Sequence, residues 1–440
     1  MLDGAAPATF DPLFFKAIGA AGPLTRFQCL GGRTLIALDG TQHVCSRKIK
    51  CRQCSTRRRS DGGTEYFHTF LGATLVAPGH KQVLPLPPEF LVPQDGAEKQ
   101  DCERNAVKRW LARHGTAVTH LRPVYLGDDR FACQPIVAAI QSTGGNLGPL
   151  RGPSLTCKPS SHQTITEYLR GAELHEHRQT VCKRGKRTTT VYRWLSAVPL
   201  RGTDDAIIVN WFSIETLDAK GKRTYYNSFV TDLPVSADTV AELATCGRAR
   251  WKIENETFNV LKRGGYNLEH SFGHGKETLA SVLVALNLLA FAFHTAAYLA
   301  VLAWQAAVNA RGPTYRFFEH LRTITAYVVF QGWDHLLRSI ACSGNTTALT
   351  GELPRPATNP PENGDDTPKK PANMKFRIAA SPVAMSRRLS GKAGNQAAHS
   401  AYTVTRTANS SSQRCNRLRR AAAGSRLTGT GGCCPTRRAG

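Results

Sequence analysis

The stretch RTLIALDGT, residues 33–41, decides the fold class of this 440-residue chain. Its apolar run ends at Asp39, and Gly40 follows directly. A short apolar run bounded by turn-forming residues is typical of a buried β-strand, and Asp-Gly is a common turn pair. We therefore predict a buried strand that ends at Asp39 and holds this carboxylate at its C-terminal end.

A second strand is predicted by HLRPVYLGDD, residues 120–129, which ends in Asp128 and Asp129. Between the two strands, residues 96–114 have the apolar spacing of a helix. Strands that alternate with helices are typical of an α/β fold, in which helices cover the sheet. We therefore predict an α/β protein with a mixed sheet flanked by helices.

Residues 163–235 change character and predict antiparallel strands. Three segments there are rich in β-branched and aromatic residues and are separated by turn-like sequences: VYRWLSAVPL (191–200), AIIVNWFSIETL (206–217) and TYYNSFVTDL (224–233). We interpret them as a β-rich insertion in the α/β fold. Its Trp194 and Trp211 are expected to pack in the core, with stacking on a nucleic-acid base as the alternative.

A third acid, Glu254, lies on a predicted helix over residues 237–263. In an α-helical projection at ~100° per residue, Glu254 shares a face with Phe258 and Leu261. A carboxylate among apolar side chains is costly unless a cation compensates it. Glu256 projects to the other side of the helix and stays open as the alternative.

Carboxylates at neighbouring strand ends and on a nearby helix can converge on divalent cations. Mg²⁺ favours a few carboxylates together with water and phosphate oxygens. Two such ions ~4 Å apart stabilise the attacking and leaving oxygens of a phosphoryl displacement. Asp39, Asp128 and Glu254 are therefore candidate metal ligands, although each of them can equally serve in a turn or an ion pair.

The stretch RARWKIENETFNVLKRGGYNLEHSFGHG, residues 248–275, resembles the C-terminal signature of bacterial insertion-sequence transposases of the DDE type. The matching residues are Arg250, Trp251, Ile253, Glu254, Phe258, Leu261 and Lys262. LIALDGT resembles the first-aspartate motif of this family, with Asp39, and YLGDDRF resembles the second, with Asp128. The resemblance covers about residues 30–340.

This resemblance implies an RNase H-like catalytic core and an enzyme that cleaves DNA at insertion-sequence ends and joins them to a target. It implies two Mg²⁺ ions, or Mn²⁺ in their place, held by Asp39, Asp128 and Glu254. It also implies contacts of Arg250 and Lys262 with DNA phosphates. The implied partners are the transposon ends, the target DNA and a second copy of the chain, in a homodimer assembled on DNA.

Two features of the signature depart from the family pattern. Gly247 stands where the family usually has a tyrosine. The spacing from Glu254 to Lys262 is eight residues instead of the usual seven, whereas Glu256 is six residues from Lys262. The choice between the two glutamates therefore stays open in the sequence.

The predicted domain organisation has five parts. They are a residual N-terminal segment (1–30), the first part of the core (31–155), the β-rich insertion (156–235), the second part of the core with the glutamate helix (236–342) and a disordered basic tail (343–440). The tail composition cannot bury enough apolar area to offset the entropy of ordering it. The segment before Asp39 is too short for the DNA-binding domain usual at the N-terminus of this family. A truncated, inactive copy that only binds DNA is therefore the alternative function.

The charge of the chain points to a polyanionic partner. It has 57 Lys and Arg against 32 Asp and Glu, a net charge of +25. Residues 367–440 hold 15 of the basic residues and no acid, which leaves +10 on the first 366 residues. Positive charge outside the tail favours DNA as the partner. The N-terminus has no secretory signal, so we expect a cytoplasmic, nucleoid-associated protein.

Residues 279–304 contain no charged side chain over 26 positions, which is long enough to span a bilayer. Asn287 and His294 interrupt this segment, and basic residues do not cluster at its flanks. We predict a buried core helix and no membrane partner.

Cys51 and Cys54 have the spacing of one half of a zinc site. Zinc sites usually pair two such halves, and the sequence offers one, with candidate completions His43, Cys45, His68 and Cys102. Free thiols are therefore expected, and a structural zinc is the alternative. His270 and His274 are expected to orient a loop.

Overall fold

The computed structural model describes residues 2–93, 101–143, 152–183, 185–270 and 274–342. The predicted disordered tail at 343–440 lies outside the described residues.

The described strands all belong to one sheet of twelve strands. In chain order they are β1 (Gln28–Cys29), β2 (Arg33–Ser46), β3 (Ser55–Arg58), β4 (Thr64–Val76), β5 (Leu84–Pro85), β6 (Glu89–Leu91), β7 (Pro123–Gly127), β8 (Gly152–Thr156), β9 (His175–Lys183), β10 (Lys186–Pro199), β11 (Ile208–Leu217) and β12 (Arg223–Thr231).

The sheet is mixed, because two parallel pairs in its middle are flanked by antiparallel pairs on both sides. The main order is β3-β4-β2-β7-β8-β12-β11-β10-β9, with β1 beside β2 and with β5 and β6 beside β4. Strands β2, β7 and β8 run parallel, and β4 runs antiparallel to β2. The prediction of an α/β fold with a mixed sheet flanked by helices is therefore confirmed.

Strand β2 extends well beyond Asp39, so the prediction that it ends there is wrong. Asp39 pairs with Gly72 of β4, and the pairing of the two strands continues to Ser46. A Cβ atom on Gly40 would lie 2.2 Å from the Glu103 carboxylate, and one on Gly72 would lie 2.8 Å from the Phe258 ring. Gly40 is therefore no turn residue; the two glycines leave room for side chains that pack on the sheet.

Strands β9 to β12 continue the same sheet as an antiparallel run joined to β8. Trp194 of β10 and Trp211 of β11 are 7% and 5% exposed. Trp194 also stacks on His175 with 5.4 Å between the ring centroids. Both indoles are thus buried, as expected for core packing.

Ten α-helices surround the sheet in the described residues. They are α1 (Asp11–Ala20), α2 (Glu103–His114), α3 (Gln134–Ser142), α4 (Gln163–Arg170), α5 (Val240–Arg248), α6 (Asn259–Arg263), α7 (Leu279–Ala300), α8 (Leu302–Arg311), α9 (Thr314–Tyr327) and α10 (Trp333–Cys342).

Between α5 and α6 the chain stays helical but leaves the α-helical pattern. A 3₁₀ turn spans Ala249–Trp251, and a π-helical segment spans Ile253–Phe258. The wider π turn holds one residue more than an α turn, so a regular α-helical projection of this stretch fails. A regular projection places Trp251 ~20° from Phe258, yet Trp251 is 54% exposed and Phe258 is buried.

Helix α7 is long and apolar enough to cross a membrane by length and composition. Eleven of its 22 residues are buried inside the protein, and it packs against α1, α8 and β5. The carboxylate of Asp3 accepts hydrogen bonds from the backbone N–H groups of Glu277, Thr278 and Leu279 at its start. Half of its residues are therefore buried inside the protein, which agrees with the core helix expected from the sequence.

Candidate functional site

A polar cleft of about 400 Å³ opens where β2, β7, β8 and the π-helical segment meet. Its charged lining consists of four acids and three cations, namely Asp39, Asp128, Asp129, Glu254, Lys158, Arg250 and Lys262. All five site residues predicted from the sequence are among them. The structure adds Lys158 and Asp129, which were not among the predicted site residues.

The two predicted aspartates lie on neighbouring parallel strands. The β2–β7 register pairs Ala37 with Leu126. Continued by two residues, this register sets Asp39 level with Asp128, on strands ~4.8 Å apart. The mid-strand position of Asp39 therefore brings it to the same height as the residue that directly follows β7.

Asp39 is held in a strongly charged and largely buried environment. Its Oδ2 atom accepts a hydrogen bond from Nη1 of Arg250 over 3.2 Å. The pKa of Asp39 is raised to about 6, chiefly by burial; Arg250 lowers it, and the charges of Asp128 and Glu103 add to the rise. Near neutral pH this carboxylate is thus poised to exchange a proton for a cation.

Glu103 is an acid of this region that the sequence analysis did not select. It begins α2, and its carboxylate packs over the backbone of Gly40, beside Asp39. Burial raises its pKa, and the charge of Asp128 adds to the effect. A signal was available, because Glu103 belongs to the stretch QDCERN directly before the predicted apolar face of this helix.

Helix α2 is fixed to the sheet by charge pairs, which in turn position Glu103. The carboxylate of Glu89 on β6 accepts hydrogen bonds from Arg109 Nε at 2.7 Å and Arg113 Nη1 at 2.8 Å. The indole of Trp110, which is fully buried, donates a hydrogen bond to the carbonyl of Pro87 over 2.8 Å. Charge-assisted bonds of this kind hold a helix in a defined register.

Asp128 and Asp129 both line the cleft, and both also shape the turn after β7. Asp128 Oδ1 accepts a hydrogen bond from the backbone N–H of Arg130 over 2.9 Å. Asp129 Oδ1 accepts one from the backbone N–H of Lys158 and lies 3.2 Å from Nε2 of His162. Asp129 therefore joins the turn to the chain that follows β8, whereas Asp128 makes no such link.

The two candidate glutamates face different cavities. Glu254 lines the charged cleft. Glu256 lines a second cavity, bordered by Tyr266, His294 and Trp304. Of the two residues that the sequence left open, Glu254 is therefore the one that shares a cleft with Asp39 and Asp128.

The π-helical segment accounts for the unusual spacing between Glu254 and Lys262. A π turn accommodates one inserted residue inside a helix without shifting the flanking turns. Lys262 consequently still lines the same cleft as Glu254 at a spacing of eight residues. Its ammonium group lies 3.0 Å from Oε1 of Glu269, which is largely exposed.

Gly247, the second departure from the family pattern, is buried against an aromatic ring. A Cβ atom there would lie 2.8 Å from the ring of Phe229. Phe229 is fully buried and stacks on Phe212 with 5.1 Å between the ring centroids. A tyrosine at position 247 is therefore incompatible with this packing.

A second group of polar side chains lies apart from the cleft, where the chain after β2 meets β4. Cys51, Cys54, His68 and His274 each direct one donor atom to a common point, and these four atoms lie within 4.8 Å of one another. Such a group can hold a metal ion. Burial raises the pKa of Cys54 to about 11 and lowers that of His68 to about 4.

This cluster corrects two expectations from the sequence. His68 was among the candidate partners of Cys51 and Cys54, but His274 was expected only to orient a loop. His43 is buried nearby, with its ring centroid 5.6 Å from that of His68, yet it does not belong to the cluster. Cys45 is exposed and outside it, as is Cys102.

The basic residues at the tips of the β3–β4 and β9–β10 hairpins differ in their ion pairs. Arg57 and Arg59 on one hairpin form ion pairs with Glu65, and Arg59 also pairs with Asp61. Arg187 on the other hairpin is exposed, opposite Cys182. The first cluster is thus partly neutralised by its own acids.

The donor chemistry of the cleft fits hard divalent cations. Its acids offer only carboxylate oxygens; burial and the repulsion of neighbouring acids raise the pKa of Asp39, and a cation would relieve this cost. Within the described ranges, the Cys51, Cys54, His68 and His274 group alone has its donors gathered around one point. The carboxylates of Asp39, Asp128 and Glu254 line the same cleft without being gathered around one point in this way.

No protein-family model matches the chain, and no curated protein matches it.

Proposed function

We propose that this protein is a DNA transposase of the DDE type, which cleaves DNA at insertion-sequence ends and joins it to a target. The observation that carries the proposal is the shared cleft. Asp39, Asp128 and Glu254, separated by up to 215 residues of sequence, line it together with Arg250 and Lys262. This is the acid and cation set that the resemblance to such transposases implies.

An RNase H-like core is the finer description that we propose for the sheet. It is supported by the three neighbouring parallel strands β2, β7 and β8, with β4 antiparallel beside them. It is also supported by the crossovers that contain α2 and α3 between the parallel strands. In this description β9 to β12 are an insertion between the second aspartate and the glutamate.

Asp39, Asp128 and Glu254 are the residues that would hold divalent cations. Two bound Mg²⁺ or Mn²⁺ ions supply activation of the attacking oxygen and stabilisation of the leaving oxygen at a phosphodiester. Glu103 lies behind Asp39 and keeps a negative charge close to it. We assign Glu103 to positioning because it does not line the cleft.

The cations of the cleft are suited to bind DNA phosphates. Arg250 is 23% exposed at its side chain and neutralises Asp39, while Lys262 is 22% exposed and pairs with Glu269. Lys158, which follows β8, adds a third cation to the cleft. Guanidinium and ammonium groups beside a cleft bind a phosphate backbone electrostatically, so the affinity for DNA should fall steeply with salt.

The test is a cleavage assay on DNA that carries the ends of the cognate element, with Mg²⁺ or Mn²⁺. Wild type is compared with Asp39→Asn, Asp128→Asn and Glu254→Gln, which keep side-chain size but remove the charge. We expect each variant to lose at least ~10³-fold in rate while DNA binding persists. Glu256→Gln is the matched control, because it alters a glutamate two residues away that faces another cavity.

The outcomes also separate the enzyme from a protein that only binds DNA. Cleavage by wild type and by Glu256→Gln, lost in the three variants, supports the transposase. Salt-sensitive binding of end DNA without cleavage in either metal would instead identify an inactive DNA-binding copy. Loss of activity in Glu256→Gln alone would move the third acid from Glu254 to Glu256.

A further inference from the structure

We propose that Cys51, Cys54, His68 and His274 form a structural zinc site, independent of the charged cleft. The four donors come from three separate parts of the chain. Cys51 and Cys54 lie between β2 and β3, His68 lies on β4, and His274 follows α6. Residues 206 and 220 positions apart therefore meet at one point.

Five of the six distances between the donor atoms agree with a tetrahedron around one ion, and the sixth, between Cys51 Sγ and His274 Nε2, is no longer than 4.8 Å. With Zn–S bonds of ~2.3 Å and Zn–N bonds of ~2.0 Å, tetrahedral geometry gives S···S of ~3.8 Å, S···N of ~3.5 Å and N···N of ~3.3 Å. The Cys51 and Cys54 sulfurs are 3.8 Å apart. His68 Nε2 lies 3.4 Å from each sulfur, and His274 Nε2 lies 3.3 Å from Cys54 Sγ and 3.0 Å from His68 Nε2.

The donor types select zinc over the cations proposed for the cleft. Two thiolates and two imidazoles are ligands for Zn²⁺, whereas Mg²⁺ and Mn²⁺ favour oxygen. Four protein ligands fill a tetrahedral shell, which is the arrangement of structural and not of catalytic zinc. The cluster therefore serves stability rather than the cleavage of DNA.

The charge balance of the site suits its position in the protein. On binding, each of the two thiols releases a proton to solvent and each sulfur donates an electron pair to the ion, while both histidines bind through a neutral nitrogen. Two thiolates and Zn²⁺ then have no net charge. Cys54 and His68 are buried, and an uncharged centre avoids the cost of burying an unpaired ion.

A disulfide is the competing use of the two cysteines, and the geometry disfavours it. The sulfurs lie 3.8 Å apart, compared with ~2.05 Å in a disulfide. A bridge between Cys51 and Cys54 would also leave the two imidazole nitrogens facing each other at 3.0 Å without a role. A zinc ion uses all four groups at once.

The site ties the segment after the glutamate helix to the strand that supports it. β4 supplies His68 to the cluster and Gly72 to the contact with Phe258. The two contacts hold Phe258 of the helical segment, and the chain eleven residues beyond the end of α6, against the same strand. Because the bond to His274 closes a loop of more than 200 residues, we expect a large effect on the stability of the folded chain.

The experiment measures zinc in the full chain purified without chelator, in the absence of DNA and Mg²⁺. We expect one zinc per chain, and Co²⁺ exchanged into the site should give the visible bands of a tetrahedral ion with two thiolate ligands. Cys54→Ser and His274→Ala should each lose most of the metal. Cys45→Ser is the matched control, because Cys45 is exposed on β2, outside the cluster.

The wild-type protein provides a test that does not depend on whether the variants fold. A chelator should lower its thermal midpoint by several degrees, and added Zn²⁺ should restore it, whereas added Mg²⁺ should not. Wild type without zinc after reconstitution, or a disulfide between Cys51 and Cys54 that persists in protein purified under reducing conditions, overturns the proposal. Because the zinc content and the thermal midpoint are measured without DNA, their outcome is independent of the cleavage assay.

Discussion

Arg250 Nη1 donates a hydrogen bond to Asp39 Oδ2 over 3.2 Å and so joins two residues 211 positions apart. The pair connects the middle of a β-strand to the 3₁₀ turn that precedes the glutamate. Where no metal ion is bound, the guanidinium of Arg250 is the closest positive charge to the carboxylate of Asp39. Four predictions follow from this pair and from the packing around it.

The charge of Asp39 should cost stability at neutral pH. Its pKa is raised from 3.8 to about 6 by burial, so the folded state binds more protons than the unfolded state between these values. Stability contributed by the protonated form is therefore present at low pH and is lost as the pH rises through about 6. We expect Asp39→Asn to stabilise the metal-free protein at pH 7 by about 1–3 kcal/mol, and far less at pH 4.

Chemical denaturation at the two pH values measures this difference. Asp61→Asn is a control of opposite sign, because Asp61 is exposed and the N–H of Gly63 lowers its pKa. It should not stabilise the protein at pH 7. An Asp39→Asn variant that is less stable than wild type at neutral pH would contradict the burial argument.

Loss of the Arg250 charge should weaken DNA binding in a salt-dependent way. Removing one phosphate contact reduces the slope of log affinity against log salt by about 0.9. We expect this reduction for Arg250→Gln in a salt titration with end-containing DNA. Arg338→Gln, an exposed arginine on α10 outside the cleft, should leave the slope unchanged.

A methyl group at Gly72 should disturb the contact between β4 and the glutamate helix. The added Cβ would lie 2.8 Å from Cε1 of the Phe258 ring, which is buried and cannot move freely. Overpacking of this kind costs about 1–3 kcal/mol, and we expect Gly72→Ala to lose that much in urea denaturation. Gly19→Ala on α1, where nothing lies within 4 Å of the new Cβ, should be neutral or slightly stabilising.

The extra residue of the π-helical segment should be dispensable for folding. Deleting Asn255 gives a seven-residue spacing and lets the segment become α-helical, with Ile253 and Phe258 still on the sheet side. We expect a thermal midpoint within a few degrees of the wild-type value. Deleting Ala244 from α5 instead rotates the rest of that helix by ~100°, which turns buried residues toward solvent and should unfold the protein.

The existence of the main elements was predictable from local pattern. Apolar runs indicated strands at residues 33–41 and 120–129, and helical spacing indicated the segment that contains Glu254. The end of the first strand was not predictable, because Asp-Gly usually forms a turn. Its continuation depends on pairing with β4, where Gly40 lies opposite Leu71 and Ser46 opposite Tyr66.

The cluster of two cysteines and two histidines was likewise predictable only in part. The spacing of Cys51 and Cys54 is a local signal, and His68 lies close enough in sequence to be considered. His274 lies 220 residues beyond Cys54 and shares no periodicity with it. Only the course of the chain around β4 brings its Nε2 atom to the two sulfurs.

The sequence by itself determined the strands and helices, the basic charge and the acids that were candidates for the site, because these follow from side-chain type and short-range spacing. The tertiary structure decided which acids share a cleft, which glutamate faces it and which histidines meet the two cysteines. The physical reason is that these contacts depend on strand register, on a single π turn and on close packing at glycines. Each of these features is fixed by interactions between residues far apart in the chain.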